Sequence, residues 1–189
     1  MSKYALIMNV PGERPETYSA LYDKDGNHEL YVGTGSFEMA TDLLKKLAIE
    51  GFDHINLCGD FDDEITNKFI EIGQGKIKIS HACYWPEQLD KLNLLPSLKE
   101  YGFISMVGNL ENEVTLELKS EECNAYIILV KDLEIACQGA IDLVEKGIAF
   151  IELCTWFDSE KTRAIIEAIS GKVPVGSCGI FPTETEVNK

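Results

Sequence analysis

Apolar and polar positions run along this chain in one order, twice over. Residues 4–10 and 101–107 are nearly unbroken apolar runs of strand length, the pattern of strands buried on both faces. Pro11-Gly12 ends the first run. Residues 17–22 and 28–33 then flank Asp23-Lys24-Asp25-Gly26-Asn27, whose residue types are those a tight hairpin turn selects. In the second half, residues 114–118 alternate as a half-exposed strand before the apolar run at 125–130. Both halves then take up a helical period. Phe37, Ala40, Leu44, Leu47 and Ala48 mark one helix face, and Leu133, Ala136, Ala140, Leu143 and Val144 mark the other. Ser36 and Asp132 stand where a side-chain oxygen caps a first turn, and Gly51 and Gly147 where a left-handed residue closes a last one. A strand at 53–58 or 149–154 follows, then a second helix capped by Asp62 or Asp158 and followed by Gly75 or Gly171. Final strands are expected at 77–82 and 173–178.

The repetition is literal. Residues 29–84 moved forward by 96 positions lie without a gap on residues 125–180, and twelve of the twenty-six positions from 51 to 76 are identical. Such a period is too long for a solenoid unit and fits a duplicated small domain. Strand–helix–strand–helix–strand runs with short loops require right-handed crossovers and parallel strands. The fold class is therefore α/β: two tandem pseudo-symmetric repeats, each a parallel β-α-β-α-β unit preceded by an extra strand or hairpin. The first repeat is placed at 1–84 and the second at 99–189. Between them, 85–98 forms a connector with Pro86, Pro96 and one short amphipathic helix. The copies are expected to pack as an intramolecular pseudo-dimer, in the way two single-unit chains would pair, with homo-oligomers left open. A closed barrel half from each copy is the alternative, disfavoured because residues 110–124 read as extended where a barrel needs a helix.

One stretch resembles a known family. Ile151-Glu152-Leu153-Cys154, with Phe157 after it and Gly171-Lys172-Val173-Pro174-Val175-Gly176 beyond the helix, is similar to small uncharacterised bacterial α/β proteins. Those proteins read Glu-Leu-Cys-Gly-Gly-Phe and then Gly-Lys-Val-Pro-Val-Gly, and their first strand ends in Pro-Gly as at Pro11-Gly12. The resemblance implies the fold and no activity. Neither copy keeps the whole motif: Thr155-Trp156 replaces the two glycines in the second, and Asn56 replaces the Glu in the first.

Charge narrows the partners. Seventeen Lys and Arg face thirty-two Asp and Glu, for a net charge of −15. A nucleic-acid binder needs a cationic footprint, and an anionic membrane attracts one, so both partners are excluded. No apolar run reaches the ~18 residues of a membrane helix. Six cysteines without a Cys-x-x-Cys pair, mostly in apolar segments, match reduced thiols and a cytoplasmic location.

Parallel sheets hold ligands beyond the carboxyl ends of their strands. That rule selects Cys58, Gly59 and Asp60, Cys154, Thr155 and Trp156, and His81 and Ser177 as candidate ligand-binding positions. Cys154 and Glu152 are the catalytic candidates. A thiol before a capped helix is set up as a nucleophile, and a carboxylate facing a core as a general acid or base. The plain alternatives are packing for the cysteines and an ordinary ion pair for Glu152. Of the two thiols, Cys154 is expected to be the more reactive, since Asp60 opposes ionisation beside Cys58. His81 with Cys83, Tyr84 and Trp85 forms the most cofactor-like cluster, or an aromatic strand exit. Asp60-Phe61-Asp62-Asp63-Glu64 reads as helix capping in preference to a magnesium site. His28 and Thr34 fall where a calcium loop requires Gly and Glu. No Walker or dinucleotide glycine motif occurs, no metal set is spelled out, and no cofactor follows. Two function classes remain: a small-molecule binder or enzyme with its pocket at the strand ends, and a non-catalytic interaction or scaffold module fixed by duplication.

Overall fold

Each unbroken apolar run becomes the middle strand of a sheet. A computed structural model describes residues 2–181. The chain divides into two compact units, Met1–His81 and Ala82–Lys189. The first contains β1 (Lys3–Asn9), β2 (Ser19–Lys24), β3 (Asn27–Thr34), α1 (Phe37–Ile49), β4 (His54–Leu57), α2 (Asp63–Gly73) and β5 (Lys78–His81). The second contains α3 (Pro86–Asn93), β6 (Glu100–Met106), β7 (Val114–Lys119), β8 (Asn124–Val130), α4 (Leu133–Glu145), β9 (Phe150–Leu153), α5 (Ser159–Ala168) and β10 (Val175–Ser177).

The two sheets have the same plan. The first runs β2-β3-β1-β4-β5 and the second, read from the equivalent edge, β7-β8-β6-β9-β10. Every neighbouring pair is parallel except the hairpins β2–β3 and β7–β8. The opening strand, which precedes the α/β body in sequence, is thus inserted at the sheet's centre, and its burial follows: Ala5, Leu6 and Ile7 have no exposure.

Local chemistry sets the helices as the sequence implies. Ser36 and Asp132 accept the Met39 and Ile135 amides at 3.1 and 2.9 Å. Asp62 and Asp158 accept those of Ile65 and Lys161 at 2.8 and 3.0 Å. Gly51 and Gly147 follow the first helices at φ 81° and 87°, values that other residues adopt only under strain. Asp25 and Gly26 make the hairpin turn at φ 55° and 83°. The buried stripe of α1 is shifted from the one expected: Leu43 joins Ala40, Leu44 and Leu47, while Ala48 faces solvent. Phe37, at the first position of α1, stands partly exposed and packs edge-on against Phe61 at 5.3 Å.

Right-handed crossovers place both long helices of a unit on one face of its sheet, and α1 packs on α2 and α4 on α5 accordingly. In the second unit Gly102 lies under Leu143 and Ile148, which identifies its side as the helix face. Tyr101, Phe103 and Ser105 alternate onto the other face, with Glu152 in register beside Phe103.

Residues 82–84, expected in the first repeat, and 85–98, expected as a connector, fall within the second unit. Cys83 bridges Ser177. Lys91 donates to the Gly171 carbonyl at 2.9 Å, and the buried Gln88 accepts the Val175 amide at 3.0 Å. Gln88 thereby satisfies an edge donor of β10 that no strand reaches. Gln88→Ala leaves that amide unpaired and is expected to destabilise by about 1–3 kcal/mol in denaturant unfolding. Glu87→Ala, on the exposed side of the same helix, is expected to stay within about 0.5 kcal/mol.

Candidate functional site

Glu152 lies in the interior of β9, on the face away from the helices, with 2 % exposure. The alternation expected of the strand holds: Ile151 and Leu153 face one way, Glu152 and Cys154 the other. Two phenols grip the carboxylate. Tyr101 donates to Oε2 at 2.8 Å from β6, and Tyr84 donates to Oε1 at 2.7 Å from the segment before α3. Tyr101 is backed by Phe150 at 5.1 Å and Phe103 at 6.4 Å between ring centroids.

Tyr84 reaches this position because residue 176 has no side chain. A Cβ there would stand 2.5–2.8 Å from three atoms of the Tyr84 ring. The ring therefore lies directly on the β10 backbone, and it is the half-exposed member of an otherwise buried cluster. One row further toward the strand ends, Ser105 is 1 % exposed, and its hydroxyl has no hydrogen-bond partner. Natural interiors leave few such groups, since an unpaired buried hydroxyl costs about 1–3 kcal/mol. Sequence reasoning selected Glu152 and missed Tyr84, Tyr101 and Ser105 as its neighbours. Tyr101 left a trace as the repeat of Tyr4, and Tyr84 as a member of the cluster with His81, Cys83 and Trp85.

The other strand-end candidates hold the loops together. Cys154 Sγ accepts the Met106 amide at 3.3 Å. Ser177 donates to the Phe157 carbonyl at 2.6 Å and accepts from Gly179 N at 2.9 Å. Gly179 is pressed so closely that a Cβ would lie 2.2 Å from the Phe157 carbonyl oxygen. Trp156 is half-buried, edge-on to Phe157 at 5.0 Å, with Lys161 4.9 Å above its ring. Lys161 also pairs with Asp158, whose carboxyl is held below the usual range by that hydrogen bond and by the Lys161 amide. Thr155 is half-buried between Cys154 and Trp156.

The first unit carries a neutral version. Asn56 replaces Glu152, accepting from Tyr4 at 2.9 Å and donating to Ser80 at 3.0 Å. Cys58 accepts the Asn9 amide at 3.3 Å, as Cys154 accepts that of Met106. Gly59 and Asp60 are exposed, and Asp60 accepts from Asn9 Nδ2 at 3.2 Å. His81 stands against the first turns of α2, with Nδ1 2.9 Å from Thr66 Oγ1 and Nε2 3.4 Å from Asp63. Burial lowers its pKa, against the opposing pull of Asp63 and Asp62. The cluster expected of His81 with Cys83, Tyr84 and Trp85 is divided: His81 ends the first unit, and the other three belong to the second. Among the described residues no three His, Cys, Asp or Glu side chains converge to hold a metal ion. No helix there is long and apolar enough to cross a membrane.

The sequence matches the model of a family described as a family of unknown function (DUF6506) twice, over residues 2–95 and 99–189. The chain belongs to that family, as two tandem copies of its unit. No curated protein matches it. Among solved structures, it is similar to a periplasmic solute-binding protein of an ABC transporter from Actinobacillus succinogenes 130z with bound D-allose. That match has 11 % identity, covers 93 % of this chain and 77 % of the other, and has a TM-score of 0.33. A solute-binding protein of an ABC transporter system from Conexibacter woesei DSM 14684 gives 13 % identity, coverage of 93 % and 69 %, and a TM-score of 0.30. A PurR family transcriptional regulator from Vibrio parahaemolyticus RIMD 2210633 gives 11 %, coverage of 90 % and 75 %, and 0.27. At these values the likenesses carry no argument about function.

The matched surroundings of the two strand-end thiols make a test of their roles. Cys58 and Cys154 are 7 % and 4 % exposed and accept equivalent amides at equal distance. Brief native alkylation at neutral pH, read by mass spectrometry, is expected to label both slowly and to label the part-exposed Cys83 and Cys123 first. Selective labelling of Cys154 would instead mark it as an activated nucleophile.

Proposed function

We propose that the second unit binds a small hydrogen-bonding molecule at the carboxyl ends of its parallel strands, on the face that carries Glu152. The observation that carries this reading is Ser105. A fully buried hydroxyl without a partner stands one row from a carboxylate already gripped by two phenols, so a ligand reaching it gains a hydrogen bond that the free protein lacks. Tyr84 supplies the way in. It is the half-exposed member of the cluster, its hydroxyl donates to Glu152, and turning it away uncovers that carboxylate. Cys154 and Phe103 flank the same patch and give it apolar walls, the usual composition of a small-molecule site.

The first unit is read as the structural copy. Met8 stands where the second unit has Ser105, and the Tyr4–Asn56–Ser80 network joins neutral groups. A reducing cytoplasm is the compartment this reading assumes, because the six cysteines form no Cys-x-x-Cys pair and lie mostly in apolar segments.

A thermal-shift screen against a metabolite library tests the reading, since a ligand at a hundred times its Kd stabilises by about 2.7 kcal/mol. Ser105→Ala is expected to leave the free protein more stable by about 1 kcal/mol, because it removes an unsatisfied group. The same change, and Glu152→Gln, should weaken the response to whichever compound stabilises the wild type. Gly176→Ala, which drives the Tyr84 ring off the strand and so uncovers Glu152, should instead enlarge that response. A wild type that answers no compound, or variants that respond just as it does, would count against the site.

A further inference from the structure

The strand row below the candidate site differs in kind between the two units. In the second unit it reads Leu118, Ala125, Tyr101 and Phe150 across β7, β8, β6 and β9. In the first, the same row reads Tyr22, Glu29, Tyr4, His54 and Lys78 across β2, β3, β1, β4 and β5. A carboxylic acid thus occupies the place of Ala125, and it is 8 % exposed. Glu29 stands where the β2–β3 hairpin joins the rest of the sheet, in register with Tyr22 on one side and Tyr4 on the other. β3 is paired along β1, whereas β2 is an edge strand that reaches the sheet through β3, with Leu21 half-exposed.

We propose that Glu29 is a protonation-controlled latch for the β2–β3 hairpin, closed while the carboxyl is neutral and loosened when it ionises. A neutral carboxyl fits what surrounds it. Its hydrogen-bond donor is Tyr31, two residues along the same strand face, at a long 3.4 Å. Of the charged groups nearby, Asp53 precedes β4 and repels a second negative charge, and Asp23 on β2 is engaged with His28 at 3.3 Å. The cations are turned elsewhere. Lys3 on β1 donates to the Glu50 carbonyl at 2.8 Å and lies over the Phe52 ring. Lys78 is exposed and three strands away, about 14 Å at ordinary strand spacing. His54, between them, has its pKa lowered by burial and by Lys78, so it brings no charge near pH 7. Both helices of the unit lie on the opposite face.

These surroundings raise the Glu29 pKa from 4.5 to about 7, with burial the largest cause and Asp53 adding to it against the Tyr31 hydrogen bond. The sign follows directly. The folded unit binds a proton that the unfolded chain releases near pH 4.5, so this contribution is fully present below that pH. It is lost as pH rises toward and through about 7.

Hydrogen exchange across pH 5.5–8.5, corrected for intrinsic rates, provides the test on the full chain. Residues 19–34 are expected to lose protection relative to residues 114–130 as pH crosses about 7. The second hairpin, with Leu118 against Ala125, serves as the internal reference. Glu29→Gln keeps the neutral shape and should hold the first hairpin protected throughout. Carboxyl NMR of the wild type reads the Glu29 midpoint independently, which keeps the proposal testable even where the variant does not fold. A Glu29 midpoint near 4.5, parallel behaviour of the two hairpins, or an unchanged response in Glu29→Gln would each overturn the latch.

Discussion

Crossovers of a single hand place both long helices of each unit on one side of its sheet, and the distribution of chemistry along the chain depends on that constraint. The helix side is built from Ala, Ile, Leu and Val, as it must be to receive two amphipathic helices. The other side carries buried polar side chains: Glu29 and Asn56 in the first unit, Ser105 and Glu152 in the second. Released from packing against the long helices, that face carries the polar differences between the copies.

The divergence is ordered by rows. At the level of Asn56 and Glu152, the first copy has a neutral amide between Tyr4 and Ser80, and the second a carboxylate between Tyr101 and Tyr84. One row toward the amino ends, the first copy has Glu29 where the second has Ala125. Gly176 matters for the same reason. Ser80 fills the equivalent place in the first sheet with a hydroxyl of its own, whereas the empty place in the second lets Tyr84, 68 residues before Glu152, bring one in.

How much of this was legible depended on whether the cause was local. Caps at Ser36, Asp62, Asp132 and Asp158, the left-handed glycines and the Asp25-Gly26 turn follow from neighbours within four residues, and they are found where the sequence places them. Glu152 was legible as an anomaly, an acid inside an apolar strand. Its partners were not, because strand order and register decide which side chains meet, and neither can be read from periodicity. Ser177 shows the same limit: its position at a strand end was correct, but its hydroxyl closes onto the Phe157 carbonyl, a contact set by the approach of Gly179. Ser105 offered no signal at all, since a serine in a strand is ordinary until its hydroxyl is found without a partner.

The two buried acids also show that burial alone does not determine what a carboxyl can do. Both are below a tenth exposed, yet Glu152 takes one short bond on each oxygen and Glu29 a single long one. Hydrogen bonds donated to a carboxylate favour the ionised form, and desolvation opposes it. With little to offset its burial, Glu29 keeps its proton to about pH 7 and behaves as a neutral group in an apolar row. Glu152, with a phenol on each oxygen, has the surroundings of an acceptor that other donors can join. The duplication has therefore left two buried acids in different surroundings on one scaffold: Glu29 with a single long hydrogen bond, and Glu152 with a phenol on each oxygen.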